Sequence, residues 1–360
     1  MSPPSPPWVP RGWVLLGVLV LALMALVAGA LRQAQRAAPA RHGPVVLRFA
    51  HNQPTPRIPH QAAVLFKQLV EARTQGYYDV QIFPAQQLGS SRDEVEQTIL
   101  GTIEVTQQTP AILSLFVPKV MLLDFPFLWP PQEEVMWQIL DGPLGQELLQ
   151  TLDAKHLKGV DIWSSGFKHV TTSKKPIRAL ADFAGLKMRV LASPLLAAQY
   201  AAWGASPTPV DYKELYTALE QGLVDGQENP AGTILDMRLY EVQKYLTESR
   251  HGFLHYLIVV HKPWFDAQTP EHQAILTQAL REAGQWERQA TRAYDAEAMQ
   301  RLKEAGVQVQ TLTEEARAQL RQRALQVHAQ FAERVGQDYV QRVYTAIMQA
   351  TLSCVARQGC

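Results

Sequence analysis

Apolar and polar positions alternate most clearly between residues 185 and 230. In residues 186–191, L-K-M-R-V-L, Leu186, Met188 and Val190 would line one face of a strand and Lys187, Arg189 and Leu191 the other. Ser193 and Pro194 supply an N-cap followed by proline at the first helical position, and the helix pattern runs to about Trp203 before Gly204. Pro207 and Pro209 mark an extended segment. Residues 212–221 predict a second helix stopped by Gly222. Residues 224–230 predict a turn-rich strand end carrying Asp225, Gln227, Glu228 and Asn229. Strand, helix, strand, helix, strand is the order of a parallel α/β sheet. Polar groups at strand ends in such sheets face a ligand crevice, and Arg189 and Asn229 occupy such ends.

The rest of the chain has the same texture. Strands are predicted over 45–52, 79–83, 103–106, 160–164, 244–247 and 252–261, with Trp264 in a turn. Helices are predicted over 58–74 and 142–156, and from a capping box of Ser91 and Glu94 to Leu100, stopped by Gly101. Residues 117–129 predict an aromatic-rich loop over apolar surface. Thr269-Pro270-Glu271 opens a helical pattern running to about Ala305, a length of about 50 Å. Gly306 ends it, residues 307–311 predict a strand, and Thr311 with Glu314 opens a last helical region to about Ala350.

Composition bounds the function. The 360 residues are 47% hydrophobic and 19% charged, enough for one large or two medium domains with real cores. A formal charge of +1 gives no argument for a nucleic-acid partner. Residues 13–31 form an uncharged apolar run after Arg11, just long enough to cross a hydrocarbon core of about 30 Å. Two readings compete. One is a secretory signal with a small-residue exit at Ala28-Gly29-Ala30 or Ala38-Pro39-Ala40. The other is an uncleaved anchor, which Arg32, Arg36 and Arg41 favour. Either would export the chain, the second keeping it tethered to the membrane. No cysteine follows the run, which argues against a lipid anchor. Cys354 and Cys360 lack C-x-x-C spacing and could pair in an oxidising compartment or stay free.

Catalytic signatures such as G-x-S-x-G, G-x-x-x-x-G-K-[ST], H-E-x-x-H and G-x-G-x-x-G do not occur. His251 and His255 would stand on one face of a strand about 13 Å apart, beyond joint reach of a metal. The expectation is a protein without cofactor or metal, and not an enzyme.

Several motifs carry a resemblance. They are G-L-K-M-R at 185–189, G-A-S-P-T-P at 204–209, E-L-Y at 214–216 and, above all, V-D-G-Q-E-N-P at 224–230. The F-P-A-Q-Q-L-G turn at 83–89, the E-V-E element from Glu94 to Glu104, and V-P-K-V-M-L-L-D-F-P-F-L at 117–128 extend it over most of the chain. The chain resembles the solute-binding receptors of tripartite ATP-independent periplasmic (TRAP) transporters, of the dicarboxylate-receptor type. The resemblance implies a two-lobed α/β fold of the periplasmic-binding-protein kind, with a hinge and a long helix spanning both lobes. Residues 44–165 and 254–294 would form lobe I and residues 166–253 and 295–350 lobe II, with residues 1–43 as leader or anchor plus linker and 351–360 as a tail. It implies capture of an organic acid anion and delivery to membrane permease subunits.

On this resemblance Arg189 grips the solute's carboxylate, as a planar fork can. Asn229 can both donate and accept, and Tyr212 lies near the solute. Lys168 stands where the family commonly has arginine and offers a point charge rather than a fork. Asn52, Gln87 and Trp129 are expected to line the cleft from the first lobe, while Asp225, Gln227 and Glu228 support the turn. A membrane-tethered sensor for a carboxylate, built on the same lobes, is the second reading if residues 13–31 are not cleaved. An enzyme on this scaffold would need a nucleophile–base pair or metal set that the sequence lacks.

Overall fold

Two sheets organise the part of the chain that the computed structural model describes, residues 43–356. The apolar run at 13–31 and Cys360 lie outside the described residues. In chain order the strands are β1 (Val45–His51), β2 (Tyr78–Phe83), β3 (Val105–Gln108), β4 (Leu157–Phe167), β5 (His169–Thr172), β6 (Lys187–Val190), β7 (Ser206–Pro209), β8 (Gly226–Asn229), β9 (Tyr245–Glu248), β10 (Phe253–His261) and β11 (Gln308–Thr311). The first sheet has the order β2-β1-β3-β10-β4 and the second β11-β9-β5-β8-β6-β7. Parallel pairs β1–β3, β6–β7 and β6–β8 sit beside antiparallel pairs made by β10 and β5. The sheets are therefore mixed, not wholly parallel. In β10, F-L-H-Y-L-I-V-V-H, every residue but the last is buried, as befits a strand covered on both faces.

Several boundaries differ from the pattern reading, each for a local reason. The helix Ser91–Leu100 is capped by Ser90 with Asp93, not Ser91 with Glu94. Glu94 is fully buried and accepts from Gln108 at 2.7 Å, so its carboxylate points inward and is not available to the cap. Strand β3 lies two residues later than expected because its register against β1 pairs Phe49 with Val105. Strand β4 runs over eleven residues because β10 pairs with its full length. The 142–156 region is a helix Pro143–Gln150 followed by a 3-10 turn, and 212–221 is a 3-10 turn Tyr212–Glu214 leading into Leu215–Glu220. Trp264 belongs to a short helix, Lys262–Asp266, with proline in its first turn. Thr311 ends β11, and Thr313 caps the helix Glu314–Val335 in its place. Gly336 then separates that helix from Gln337–Ala356. The helices Glu133–Leu140 and Ala231–Asp236 have no counterpart in the pattern reading.

The chain passes between the sheets three times. Strand β4 runs into β5 through Lys168, and β9 returns into β10 beside it, where the Lys168 amide donates to the Gly252 carbonyl at 2.8 Å and Phe253 pairs with Phe167. The third connection is the helix Pro270–Glu304, of 35 residues. It packs on Ile58–Arg73 and β4 of the first sheet's layer and on Ala231–Asp236 beyond β8. Gly166, at φ +101°, admits it closely, since a Cβ there would stand 1.9 Å from the Asp295 carboxylate. Arg57 bridges the two halves, donating to Asp236 at 3.0 Å and to Thr233 at 2.9 Å. Among the described residues no helix is long and apolar enough to cross a membrane.

Glu287 fixes the long helix to β4. It is fully buried and accepts from the Ser164 amide at 2.8 Å and the Thr291 hydroxyl at 2.9 Å. Burial pushes its carboxyl up to about 8. The folded state therefore holds this proton longer than the unfolded chain does. Its stabilisation is complete below the ordinary value of 4.5 and is lost as pH climbs through about 8. Relative to Glu287→Gln, the wild type should lose up to about 1.4 kcal/mol of stability per pH unit across that window. Denaturant melts of both proteins at several pH values measure it, and parallel curves would exclude a protonated Glu287.

Candidate functional site

The carboxyl ends of parallel strands from both sheets converge on one narrow cavity of about 30 Å³. From the first sheet come Asn52, just after β1, and Thr109, just after β3. From the second come Arg189 in β6, Tyr212 shortly after β7 and Asn229 at the end of β8. Lys168, in the crossing between the sheets, completes the wall with Tyr256 of β10 and Asp124.

Arg189 owes its position to the alternation of β6. Leu186, Met188 and Val190 go into the apolar core, and Arg189 faces the other way, yet it is only 3% exposed. Its Nε donates to the Val210 carbonyl at 2.9 Å, which orients the guanidinium. Its Nη2 is buried without a hydrogen-bond partner. Burial pulls its pKa down to about 10, offset in part by Asp211, Tyr212 and Glu228, so it stays charged at neutral pH. A buried charge with no direct ion pair is unfavourable, and a bound carboxylate would supply one.

Lys168 has a different environment. Its ammonium donates to Glu228 at 2.7 Å and lies 3.9 Å from Asp124. Burial would lower its pKa, but Glu228 and Asp124 outweigh burial and raise it. Glu228 also takes hydrogen bonds from Gln199 at 3.0 Å and Tyr200 at 2.9 Å, and His251 Nε2 lies 2.6 Å away. Burial would raise the Glu228 carboxyl, but Lys168 and His251 hold it well below the usual carboxylate range. Asp124 is pushed up to about 6, by burial first and by Glu228 second, against the pull of Lys168. His255, the second histidine of the sequence pair, packs separately against Trp129 and Met136.

Five of the seven residues singled out from sequence, Arg189, Asn229, Tyr212, Lys168 and Asn52, meet at this cavity. Asn229 donates to Gln227, and Asn52 accepts from Gln53 at 2.6 Å. Gln87 and Trp129 do not meet there. Gln87 is exposed on the turn after β2, where its neighbour Gln86 is the buried residue. Trp129 is buried in packing, with its indole NH on the Leu123 carbonyl and its ring 5.9 Å from that of His255. Sequence reasoning did not find Thr109, Asp124 or Tyr256 as lining residues. Asp124 did leave a signal, as a lone carboxylate in the apolar stretch V-M-L-L-D-F-P-F-L.

A mixed α/β molecule with a buried polar cavity between strand ends of two sheets has the build of a ligand receptor. Residues 49–334 match the family described as bacterial extracellular solute-binding protein, family 7 (DctP). Over 310 residues the chain is 32% identical to the C4-dicarboxylate-binding periplasmic protein DctP of Rhodobacter capsulatus, covering 86% of this chain and 92% of that protein. The fold matches the sugar acid binding protein DctPAm from Advenella mimigardefordensis in complex with galactonate, with TM-score 0.82, 32% identity and coverage of 86% and 99% of the two chains. It also matches a TRAP periplasmic solute binding protein from Desulfovibrio salexigens with bound orotic acid, with TM-score 0.82, 33% identity and coverage of 85% and 99%. The chain belongs to this DctP family of periplasmic solute-binding proteins, transport receptors rather than enzymes, which act with membrane permease subunits.

The Lys168–Glu228 pair should carry stability apart from ligand. Lys168→Ala would leave Glu228 buried with His251 as its remaining basic neighbour and should cost about 3–5 kcal/mol in urea unfolding of the free protein. A loss under about 1 kcal/mol would mean that the pair does not hold the crossing together.

Proposed function

We propose that this protein captures an organic acid in the cavity between its lobes, grips the acid's carboxylate with Arg189, and presents the closed complex to the permease subunits of a TRAP transporter. The observation that carries the reading is the buried Arg189 guanidinium on the cavity wall, with Nε spent on Val210 and Nη2 without a hydrogen-bond partner. Asn229, Tyr212 and Asn52 would complete the polar lining, with Lys168 contributing field rather than a free ammonium. Residues 44–165 with 254–294 and residues 166–253 with 295–350 would move as the two lobes, hinged where β4 meets β5 and β9 meets β10. The division follows the membership of the two sheets. That similar proteins hold galactonate and orotic acid fits an organic acid as the ligand class.

Truncating one partner of a buried charge pair typically costs about 2–5 kcal/mol of binding, and each 1.4 kcal/mol is about tenfold. Arg189→Ala should therefore weaken binding of the native acid about 30-fold or more in calorimetric titration, with the fold retained. Arg189→Lys should also fail, because an ammonium cannot reproduce the fork. Binding of Arg189→Ala within threefold of wild type would end the carboxylate-grip role.

The exported protein should begin between Gly29 and Gly43, released into the periplasm. Amino-terminal sequencing of the exported form checks this, and finding residues 13–31 intact would favour a receptor held at the inner membrane.

A further inference from the structure

The cavity's charges and unpaired atoms narrow the acid further, on the reading that Arg189 holds a carboxylate. Three buried cations stand in or beside the cavity: Arg189, Lys168 and Arg57. Arg57 is paired with Asp236 at 3.0 Å. Lys168 is paired with Glu228 at 2.7 Å and lies 3.9 Å from Asp124, so it faces two carboxyl groups. Arg189 alone of the three forms no ion pair among the described residues and keeps a buried unpaired Nη2. The cavity thus has one unspent cation. A second ligand carboxylate near Lys168 would approach Glu228 and Asp124, and like charges at such range oppose each other.

Besides Arg189 Nη2 and the Tyr212 hydroxyl, which can donate to any acceptor, two further unpaired atoms on the wall point the same way. Asp124 Oδ2 and Thr109 Oγ1 are buried, line the cavity and have no hydrogen-bond partner among the described residues. An ionised Asp124 can only accept, and a threonine hydroxyl can donate or accept. A ligand carboxylate has no proton to give Asp124, whereas a ligand hydroxyl has. Val190, Leu196 and Leu254 supply apolar wall for a carbon chain, for which the cavity of about 30 Å³ would have to widen by parting of the lobes.

We propose that the cleft selects a hydroxylated monocarboxylic acid over a dicarboxylic acid of the same length, with Asp124 and Thr109 reading the hydroxyl end. Burial and Glu228 hold the Asp124 carboxyl up at about 6, so it still accepts as a carboxylate at neutral pH.

The test is calorimetric titration of the purified exported protein at pH 7.5 with pairs matched in length: threonate against succinate, and galactonate against adipate. In at least one pair the hydroxy acid should bind tenfold or more tightly than its dicarboxylate. Asp124→Asn should narrow that ratio by weakening the hydroxy acid while leaving succinate and adipate unchanged or improved. Thr109→Val should weaken the hydroxy acid alone and serves as the second variant should Asp124→Asn fail to fold. Equal or tighter binding of the dicarboxylate in both pairs overturns the proposal and leaves the Arg189 grip standing. Failure of all four acids to bind a protein with an intact melt overturns the hydroxy-acid assignment. Binding of neutral erythritol or galactitol in their place overturns the carboxylate grip as well.

Discussion

A charged group taken out of water must meet an opposite charge or enough hydrogen bonds, and the cleft is arranged around that requirement. Lys168 meets it through Glu228, and Glu228 is further held by Gln199, Tyr200 and His251. Arg57 meets it through Asp236 and Thr233 across the two halves. Arg189 meets it only in part, through the Val210 carbonyl. The internal pairs satisfy Lys168 and Arg57 without ligand, and the unpaired Arg189 Nη2 is the charge that, on the proposed function, a ligand would meet. On the proposed function, closing the cavity over Arg189 would be unfavourable until an anion arrived, which would couple capture to closure.

The fold puts these groups together by bringing the carboxyl ends of β1, β3, β6 and β8 to the cleft, together with the amino half of the antiparallel strand β10. Met188 and Val190 anchor β6 while Arg189 turns from them, and Leu246 and Val170 do the same for the strands beside the crossing. The long helix is in contact with both layers. Its buried stripe passes from Leu276 to Leu302 and carries Glu287, whose carboxyl fastens to the Ser164 amide, while the half-buried Asp295 accepts from the Gly232 amide. These bonds tie the helix to β4 just before the crossing and to the helix that follows β8.

Much of this was legible in the sequence. The alternation around Arg189, the Ser193-Pro194 cap, and the helix from Pro270 reproduce closely, because each depends on local signals. The errors arose where tertiary pairing overrides local chemistry. Ser91 and Glu94 have the spacing of a capping box, but Glu94 is drawn inward to Gln108. Strand β3 is set by its partner β1, and β4 is lengthened by β10. At the site, residues on strand ends were identifiable because their motifs are contiguous, as in Gly226–Asn229. Gln87 and Trp129 could not be separated from true lining residues by sequence, since which side of a turn faces a cleft depends on the packing of both lobes. Asp124 and Thr109 were missed for the same reason, and the pairing of Lys168 with Glu228, 60 residues apart, has no local signature.

The central claim is that Arg189 is the cation left for the ligand while Lys168 is already committed. A crystal structure of the protein purified with its native acid tests it directly. The ligand's carboxylate should lie within hydrogen-bond distance, about 3 Å, of the Arg189 Nη atoms, with the Lys168–Glu228 pair intact. A carboxylate seated on a Lys168 that had released Glu228, with Arg189 untouched, would contradict the account.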